Sequence, residues 1–336
     1  MLTTLLSGDL PKSRTLSALL LIVLFGLAAT PWLVSGARPL NTAATICIYI
    51  VLVASYDLLL GYTGIVSFAH TMFFGIGAYG VGLALSDEGA GWTEAALGLV
   101  AALVLSLLLA LVIGLFALRV RAIFYAMITL AVASTFAVLA SQLSDLTGGE
   151  DGKTFSVPAP LGDSKLLTYY LVFGAALLIF LALLRLVNSP FGRVLQAIRE
   201  NEFRAEALGY RTVVYRVWAN IIGALAACLA GALMALWLRY VGPKTTLGFE
   251  IMTDILLIVV IGGMGTMYGA VIGAALFILA QNYLKELMGH AAEAASSLPL
   301  LANALQPDRW LLWLGLLFIV AVYFFPAGIV GRLRAR

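Results

Sequence analysis

Apolar segments of about 18 residues or more recur along the whole length of this sequence, and a helix of that length crosses the hydrocarbon core of a bilayer. Backbone inside lipid must satisfy its own hydrogen bonds, as a helix does. The composition agrees, since 62% of the 336 residues are hydrophobic and 11% are charged. Soluble domains are roughly 45–50% apolar and about 25% charged. The sequence therefore predicts an all-α integral membrane protein.

Breaks in the hydropathy divide the chain into ten predicted spans, and the third and eighth are interrupted by glycine. We expect these two to be broken or re-entrant helices, because a membrane tolerates non-helical backbone only where protein or a cavity surrounds it. One transmembrane domain, residues 16–330, lies between an N-terminal tail, residues 1–15, and a basic tail, residues 331–336. The predicted spans lie near residues 16–34, 41–60, 65–85, 94–117, 123–141, 167–187, 215–239, 249–262, 268–288 and 309–325.

Lysine and arginine are distributed unequally between the two sides that ten spans define. If the N-terminus is cytoplasmic, 13 of the 20 basic residues lie on the cytoplasmic side, most of them between Arg185 and Arg216 or in the basic tail. The other seven are spread over five loops on the opposite side. Cytoplasmic loops carry an excess of basic residues. We therefore predict that both termini are cytoplasmic.

The two halves of the chain each contain one glycine-rich, interrupted segment. These are GYTGIVSFAHTMFFGIGAYG (61–80) and IGGMGTMYGAVIG (261–273). A pair of glycine-interrupted spans at matching positions is typical of membrane transporters with two pseudo-symmetric halves, whose translocation path lies between the halves. We therefore predict two pseudo-symmetric halves, with the path at the interrupted segments.

Ionisable side chains at membrane depth are costly and usually mark a functional site. Asp57 ends the second span, His70 lies in the interrupted third span, and Asp254 lies in the eighth. Two of them have structural alternatives, with Asp57 at the membrane interface or as the cap of a break, and neutral His70 as the hydrogen-bond partner of an unwound carbonyl. The predicted path comprises Asp57, Gly64, Ser67, Phe68, His70, Phe73, Gly77, Asp254, Gly262, Gly263 and Gly265.

Motifs for catalysis, metal binding and nucleotide binding are absent from the sequence. The stretch GGEDGKT (148–154) resembles a phosphate-binding loop, but three residues separate its key glycines where the motif requires four. His70 and His290 are the only histidines, and both cysteines lie in apolar segments. We expect no catalytic site, metal or cofactor in this chain. We expect contact with membrane lipid and no nucleic-acid partner.

The central stretch NSPFGRVLQAIRENEFRAEALGY (188–210) is charged, whereas most of the chain is apolar. Ser189 before Pro190 is typical of a helix start at which the serine hydroxyl accepts an N–H, and Gly209 suits the left-handed position after a helix end. We predict one or two short amphipathic helices in a cytoplasmic loop, residues 188–214. Two interpretations are open: a solvated connector whose arginines set the topology, or an element that docks onto a charged protein partner.

Three segments together resemble the permease subunits of branched-chain amino acid ABC importers, the LivM-type family. They are GYTGIVSFAHTMFFGIGAYG (61–80), AIRENEFRAEALGY (197–210) and IVVIGGMGTMYGAVIGA (258–274). Their order and spacing agree with the family, and the likeness extends from about residue 40 to about residue 330. Three such matches in order are far more specific than any one of them.

The resemblance implies an assembly in the bacterial inner membrane. Its other members would be a second, related permease, two cytoplasmic ATPases that bind ATP and Mg²⁺, and a periplasmic solute-binding protein. It also implies that residues 200–209 are the coupling helix, which sits in a groove of one ATPase and drives alternating access. The importer consensus, Glu-Ala-Ala followed by Gly, is matched loosely by residues 205–209. The residues expected to make the ATPase contact are Arg199, Glu200, Glu202, Arg204, Glu206 and Gly209.

The resemblance leaves the solute open among branched-chain amino acids, other amino acids, urea and amides, and aromatic acids. An ion-coupled secondary transporter is the alternative function, although the scarcity of buried acids argues against it. A membrane-embedded enzyme would require clustered Asp, His or Ser side chains at a membrane face. The sequence shows no such cluster.

Overall fold

The fold is known from a computed structural model of the chain. The structure describes residues 13–33, 36–87, 89–117, 122–294, 306–324 and 328–334. Most of the predicted N-terminal tail, the loop arginines Arg119 and Arg121, and the end of the basic tail therefore lie outside the described residues.

Helices make up most of the described chain. In chain order the elements are α1 (Arg14–Leu33), α2 (Ala37–Thr63), α3 (His70–Ala84), α4 (Trp92–Ala117), α5 (Ala122–Gln142), α6 (Ser144–Thr147), β1 (Lys153–Thr154), α7 (Lys165–Val187), α8 (Pro190–Glu200), α9 (Glu202–Ala207), α10 (Thr212–Leu238), β2 (Tyr240–Val241), α11 (Pro243–Thr246), α12 (Phe249–Gly262), α13 (Met267–Ala294), a 3₁₀ turn (Pro307–Arg309), α14 (Trp310–Phe324) and α15 (Gly328–Arg334).

Each of the ten predicted spans coincides with a helix. Within the described residues, eight helical segments are long and apolar enough to cross a bilayer. The remaining two spans are the apolar helices α3 and α14, of 15 residues each. The prediction of an all-α, multi-pass membrane protein is confirmed. The two interrupted spans stand apart, since α3 begins only at His70 and α12 follows the separate short helix α11.

Helix α2 is the centre of the bundle and is buried along almost its whole length. It packs against α7, α10 and α13, and α10 packs in turn against α3. Helices α3 and α10 lie close because glycines face backbone: a Cβ at Gly77 would collide with the Cys228 carbonyl, and a Cβ at Gly231 would collide with the Phe74 carbonyl. Small residues at a helix interface allow this approach within a membrane.

The outer helices present apolar side chains to their surroundings. Large hydrophobic residues of α1, α4 and α5 are exposed, among them Ile22, Leu97, Phe116 and Ile123. Such a surface is stable in hydrocarbon and costly in water. These helices therefore form the lipid-facing or partner-facing side of the bundle.

Loops from the two halves of the chain meet at one face of the bundle. Strand β1 pairs antiparallel with β2, with Lys153 opposite Val241. The Arg239 guanidinium donates to the Gly162 carbonyl at 2.7 Å. The opposite face carries the connection between α2 and α3, the helices α8 and α9, and the connection between α12 and α13. The contacts at both faces agree with the alternation of spans predicted from the sequence.

The charged central stretch forms two short helices, α8 and α9. After α9 the chain turns at Gly209, whose φ is 90° and whose N–H donates to the Glu206 carbonyl at 2.8 Å, as predicted. Helix α8 starts at Pro190 directly after Ser189, as predicted, but the predicted capping bond was wrong, because the Ser189 hydroxyl donates to the Leu186 carbonyl at 2.5 Å and caps nothing in α8. Helix α7 ends at Val187, so its last carbonyls lie within reach of that hydroxyl.

Asn201 separates the two short helices, a junction that the sequence analysis did not identify. Its extended backbone ends α8, and its side-chain oxygen accepts the Arg204 N–H at 3.0 Å, which caps the start of α9. The charged stretch is therefore a bent element rather than one continuous helix.

Candidate functional site

The first glycine-rich segment breaks between α2 and α3. Helix α2 ends at Gly64, whose φ is 73° and whose N–H donates to the Leu59 carbonyl. Helix α3 then begins at His70, which lies beside Ser55 of α2. Ser55 is eight residues before Thr63, which corresponds to about 12 Å along a helix axis. Residues 64–69 thus run back alongside α2 as non-helical backbone.

Two side-chain hydroxyls, one from α5 and one from the break itself, accept backbone N–H groups of the break. The Phe68 N–H donates to the Thr129 hydroxyl of α5 at 3.0 Å, and the Ala69 N–H donates to the Ser67 hydroxyl at 3.3 Å. Ser67 and Thr129 are both fully buried. A membrane protein can hold irregular backbone in its interior when such partners replace water. Ser67 therefore stabilises the break in the way expected for a residue of an interrupted span.

His70 is buried at the start of α3. Its Nε2 lies 3.2 Å from the Ser55 hydroxyl, which itself donates to the Leu52 carbonyl at 2.7 Å. That hydroxyl has one proton, so it accepts from His70, which places the ring proton on Nε2. The buried Nδ1 has no hydrogen-bond partner among the described residues. The predicted carbonyl partner is thus replaced by a serine hydroxyl.

The second glycine-rich segment breaks between α12 and α13. Helix α12 ends at Gly262, and the connection passes through Gly263 and Gly265, with φ values of 119° and 79°. The Thr266 hydroxyl donates to the Gly263 carbonyl at 2.7 Å. A side chain at either of these glycines would be strained, because L residues rarely adopt this part of φ/ψ space.

The two breaks touch each other. A carboxyl oxygen of Asp57, in the last turns of α2, accepts the Gly265 N–H at 2.9 Å. Backbone contact is close as well, since a Cβ at Gly61 would collide with the Gly265 nitrogen. Asp57 is fully buried. The structure thus brings together the glycine-rich segments that the sequence pairs, and Asp57 caps the break of the other half rather than its own.

Arg199 joins this contact from the charged stretch. Its guanidinium donates to the Gly61 carbonyl. Its methylene chain packs beside Gly64, where a Cβ would lie 3.3 Å from the Arg199 Cγ. The side chain is therefore directed toward the breaks. Its predicted contact with an ATPase stays a prediction for the element as a whole.

Two acidic residues of the predicted ATPase contact also form hydrogen bonds within the chain. The Glu202 carboxylate receives two hydrogen bonds from Arg216, at 2.5 and 3.0 Å. Glu206 accepts the Thr212 hydroxyl at 2.9 Å. These contacts fix α9 against the start of α10. Glu200 and Arg204 are exposed, and their side chains form no hydrogen bond or ion pair with another described residue.

Two apolar residues on α8–α9, the element formed by those two helices and the turn to Gly209, were not assigned a functional role in the sequence analysis. Phe203 is 85% exposed and Leu208 is 70% exposed. They stand among charged residues, which drew attention to the charges of this stretch instead. The signal that could have identified them is their position in a polar stretch, because a large apolar side chain on an exposed polar helix has no core against which to pack.

The remaining predicted path residues lie in different surroundings. Phe73 is buried in the core, and Gly77 serves the close packing of α3 on α10. Phe68 stacks on Phe249 of α12, with ring centroids 6.3 Å apart. Gly262 faces the Gly269 carbonyl, where a Cβ would collide. These residues join helices to one another.

Asp254 lines a separate cavity of about 740 Å³ between α12, α13 and α14. A carboxyl oxygen of Asp254 accepts from the Gln281 amide at 3.4 Å, and Glu250 lies one turn earlier on the same wall. Most other lining residues are apolar, including Trp310 and Phe318. Asp254 therefore differs from Asp57 and His70, which do not line this cavity. Within the described residues no group of three or more His, Cys, Asp or Glu side chains could hold a metal ion.

A comparison with protein families gives one match that covers most of the chain. Residues 38–324 match the family described as the permease component of branched-chain amino acid transport systems. That range includes both breaks and α8–α9. No solved structure matches the chain.

Individual relatives are transport permeases. The chain is 28% identical to the high-affinity branched-chain amino acid transport system permease protein LivM of Salmonella typhimurium, over 84% of this chain and 71% of the relative. It is 29% identical to the Escherichia coli protein of the same description, over 80% and 68%. It is 30% identical to the autoinducer 2 import system permease protein LsrC of Yersinia pseudotuberculosis, over 62% of this chain and 58% of the relative.

Proposed function

The chain belongs to the family of permease components of branched-chain amino acid transport systems, and from that premise we propose that it is the membrane-spanning permease subunit of an ATP-driven ABC importer. Its solute would be a branched-chain amino acid or a related small molecule. Relatives described as permeases for branched-chain amino acids and for autoinducer 2 support the general role and leave the solute open.

The observation that carries the proposal is the exposed apolar pair Phe203 and Leu208 on α8–α9. Large apolar side chains in a polar surround are typical anchors of protein–protein interfaces. Glu200 and Arg204, exposed beside them, would supply a charged rim of mixed sign. We propose that a groove of a cytoplasmic ATPase receives this surface, with Phe203 as the central anchor.

The proposed importer contains this chain, a second related permease, two ATPases that bind ATP and Mg²⁺, and a periplasmic solute-binding protein. It would lie in the bacterial inner membrane with both termini of this chain in the cytoplasm. ATP binding would bring the two ATPases together and move their docked helices. Alternating access follows if that movement switches the permeases between two discrete arrangements.

The cavity beside Asp254 supports a role in handling solute. A carboxyl group next to an apolar wall is chemically suited to a small solute with an ammonium group and an apolar body. We propose that this cavity, together with the break at His70, contributes to the translocation path. The remaining predicted path residues would hold the helices around it.

The proposal is tested by co-expressing this chain with its candidate partners and reconstituting the purified complex in liposomes. We expect ATP-dependent uptake when the solute-binding protein and its solute are added, and no uptake without ATP. Arg204→Glu should uncouple ATP hydrolysis from uptake without preventing membrane insertion, because it reverses a charge on the proposed docking surface. Uptake by this chain alone, driven by an ion gradient, would instead indicate a secondary transporter.

A further inference from the structure

Arg199 caps the C-terminal end of α2. The last four carbonyls of a helix have no partner within the helix, and the Gly61 carbonyl is one of them. Arg199 donates to it from the end of α8. A cation is favoured there because the C-terminal end of a helix carries a partial negative charge. Leu195 and Ile198 are buried beneath α8, so the backbone that carries Arg199 is anchored on the bundle.

The same side chain lies against the second break. A Cβ at Gly265 would come within 2.8 Å of the Arg199 Nη1 and 2.9 Å of the Gly61 carbonyl oxygen. Asp57 closes the arrangement through its bond to the Gly265 N–H, and its carboxyl group interacts electrostatically with Arg199. One guanidinium therefore contacts the end of α2 and the connection before α13 at once.

A second side-chain interaction between α8–α9 and the bundle involves neither glycine break. Glu202 of α9 binds Arg216 of α10, and α10 belongs to neither break. Among the contacts described for α8 and α9, the Arg199 side chain is the one that reaches both glycine connections. Movement of α8 relative to α2 would change the Arg199 contacts with both connections.

We infer that Arg199 is a positioning residue, which passes movement of α8–α9 to the two glycine breaks and through them to α2 and α13. The inference rests on the proposed function, since it presumes that α8 and α9 are moved by an ATPase. It assigns Arg199 a role directed into the membrane domain, where the sequence alone suggested a contact directed outward.

The test compares Arg199→Ala with Arg199→Lys and with Arg193→Ala, in the complete complex reconstituted in liposomes. Arg193 is an exposed arginine of the same helix and controls for the loss of one positive charge. We expect Arg199→Ala to lower solute uptake per ATP hydrolysed about tenfold, equivalent to about 1.4 kcal/mol. Arg199→Lys should restore most of that ratio, because an ammonium group still donates to Gly61. Arg193→Ala should leave it unchanged.

A cap that only stabilises α2 would lower the melting temperature of Arg199→Ala and leave uptake per ATP at the wild-type value, and that result would overturn the inference. If Arg199→Ala does not assemble, Arg199→Gln takes its place under the same criterion. Failure of the proposed function is distinguishable, because it would appear in the wild-type chain as uptake that does not depend on ATP.

Discussion

The carboxyl group of Asp57 accepts the backbone N–H of Gly265 at 2.9 Å, although the two residues are 208 positions apart in the chain. Asp57 belongs to the central helix α2, and Gly265 belongs to the connection between α12 and α13. The bond therefore joins the first half of the chain to the second at the point where each half departs from helical geometry.

Asp57→Ala should destabilise the protein more than Asp57→Asn. Alanine leaves the Gly265 N–H without its acceptor, which costs about 1–3 kcal/mol for a buried donor. Asparagine keeps an acceptor oxygen at nearly the same place. The comparison is made by thermal unfolding of the detergent-purified chain. Equal melting temperatures for the two variants would mean that the charge of Asp57, rather than its hydrogen bond, matters to the fold.

Thr129→Val should weaken the first break. The hydroxyl of Thr129 accepts the Phe68 N–H, and valine has nearly the same shape without an acceptor. We expect a loss of about 1–3 kcal/mol in the free energy of unfolding. Thr135→Val is the matched control, since Thr135 lies on the same helix, is exposed and donates only to the Ala131 carbonyl. Losses of the same size in both variants would contradict the assignment.

Gly77→Val should disrupt the packing of α3 on α10. The added side chain would meet the Cys228 carbonyl, which belongs to backbone and cannot rotate away. Overpacking of this kind costs about 1–3 kcal/mol or more. Gly174→Val is the control, because a Cβ at Gly174 meets nothing within 4 Å. The measurement is the melting temperature of each variant, with the yield of folded protein in membranes. A control variant that loses as much as Gly77→Val would refute the steric explanation.

Phe203→Ala should reduce binding of the proposed ATPase without affecting the fold. An anchor residue at the centre of an interface typically contributes about 2 kcal/mol or more, which corresponds to at least a tenfold loss of affinity. Affinity is measured between the detergent-purified chain and the ATPase. Leu146→Ala serves as the control, since Leu146 is also an exposed large apolar residue but lies on the opposite face. Unchanged affinity for Phe203→Ala would remove it from the docking surface.

The spans were predictable because lipid imposes a simple rule on sequence: about 20 apolar residues in helical form. The third and eighth spans were recognised as irregular because glycine clusters interrupt their hydropathy. The hydrogen bond between Asp57 and Gly265 could not be predicted in this way, since a bond between distant positions leaves no local pattern in the sequence.

Side-chain direction was the main point that the sequence could not give for the charged stretch. Arg199 and Arg204 are both arginines of one polar segment, yet the Arg199 guanidinium donates to the Gly61 carbonyl, whereas the Arg204 side chain has no partner among the described residues. The difference follows from the bend at Asn201, which changes the face that each helix presents. The sequence analysis left one or two short helices open and did not place this bend, so it could not distinguish the two arginines.

The short ladder between β1 and β2 has a mechanical consequence. It ties the loop after α5 to the loop after α10, while the covalent connection through α8 and α9 ties the same two halves at the other face. Because the two halves are connected at both faces of the bundle, these connections oppose sliding or separation of the halves. Helix α10 begins directly after the α8–α9 connection and ends directly before β2, so rotation about the α10 axis is a displacement that both ties permit.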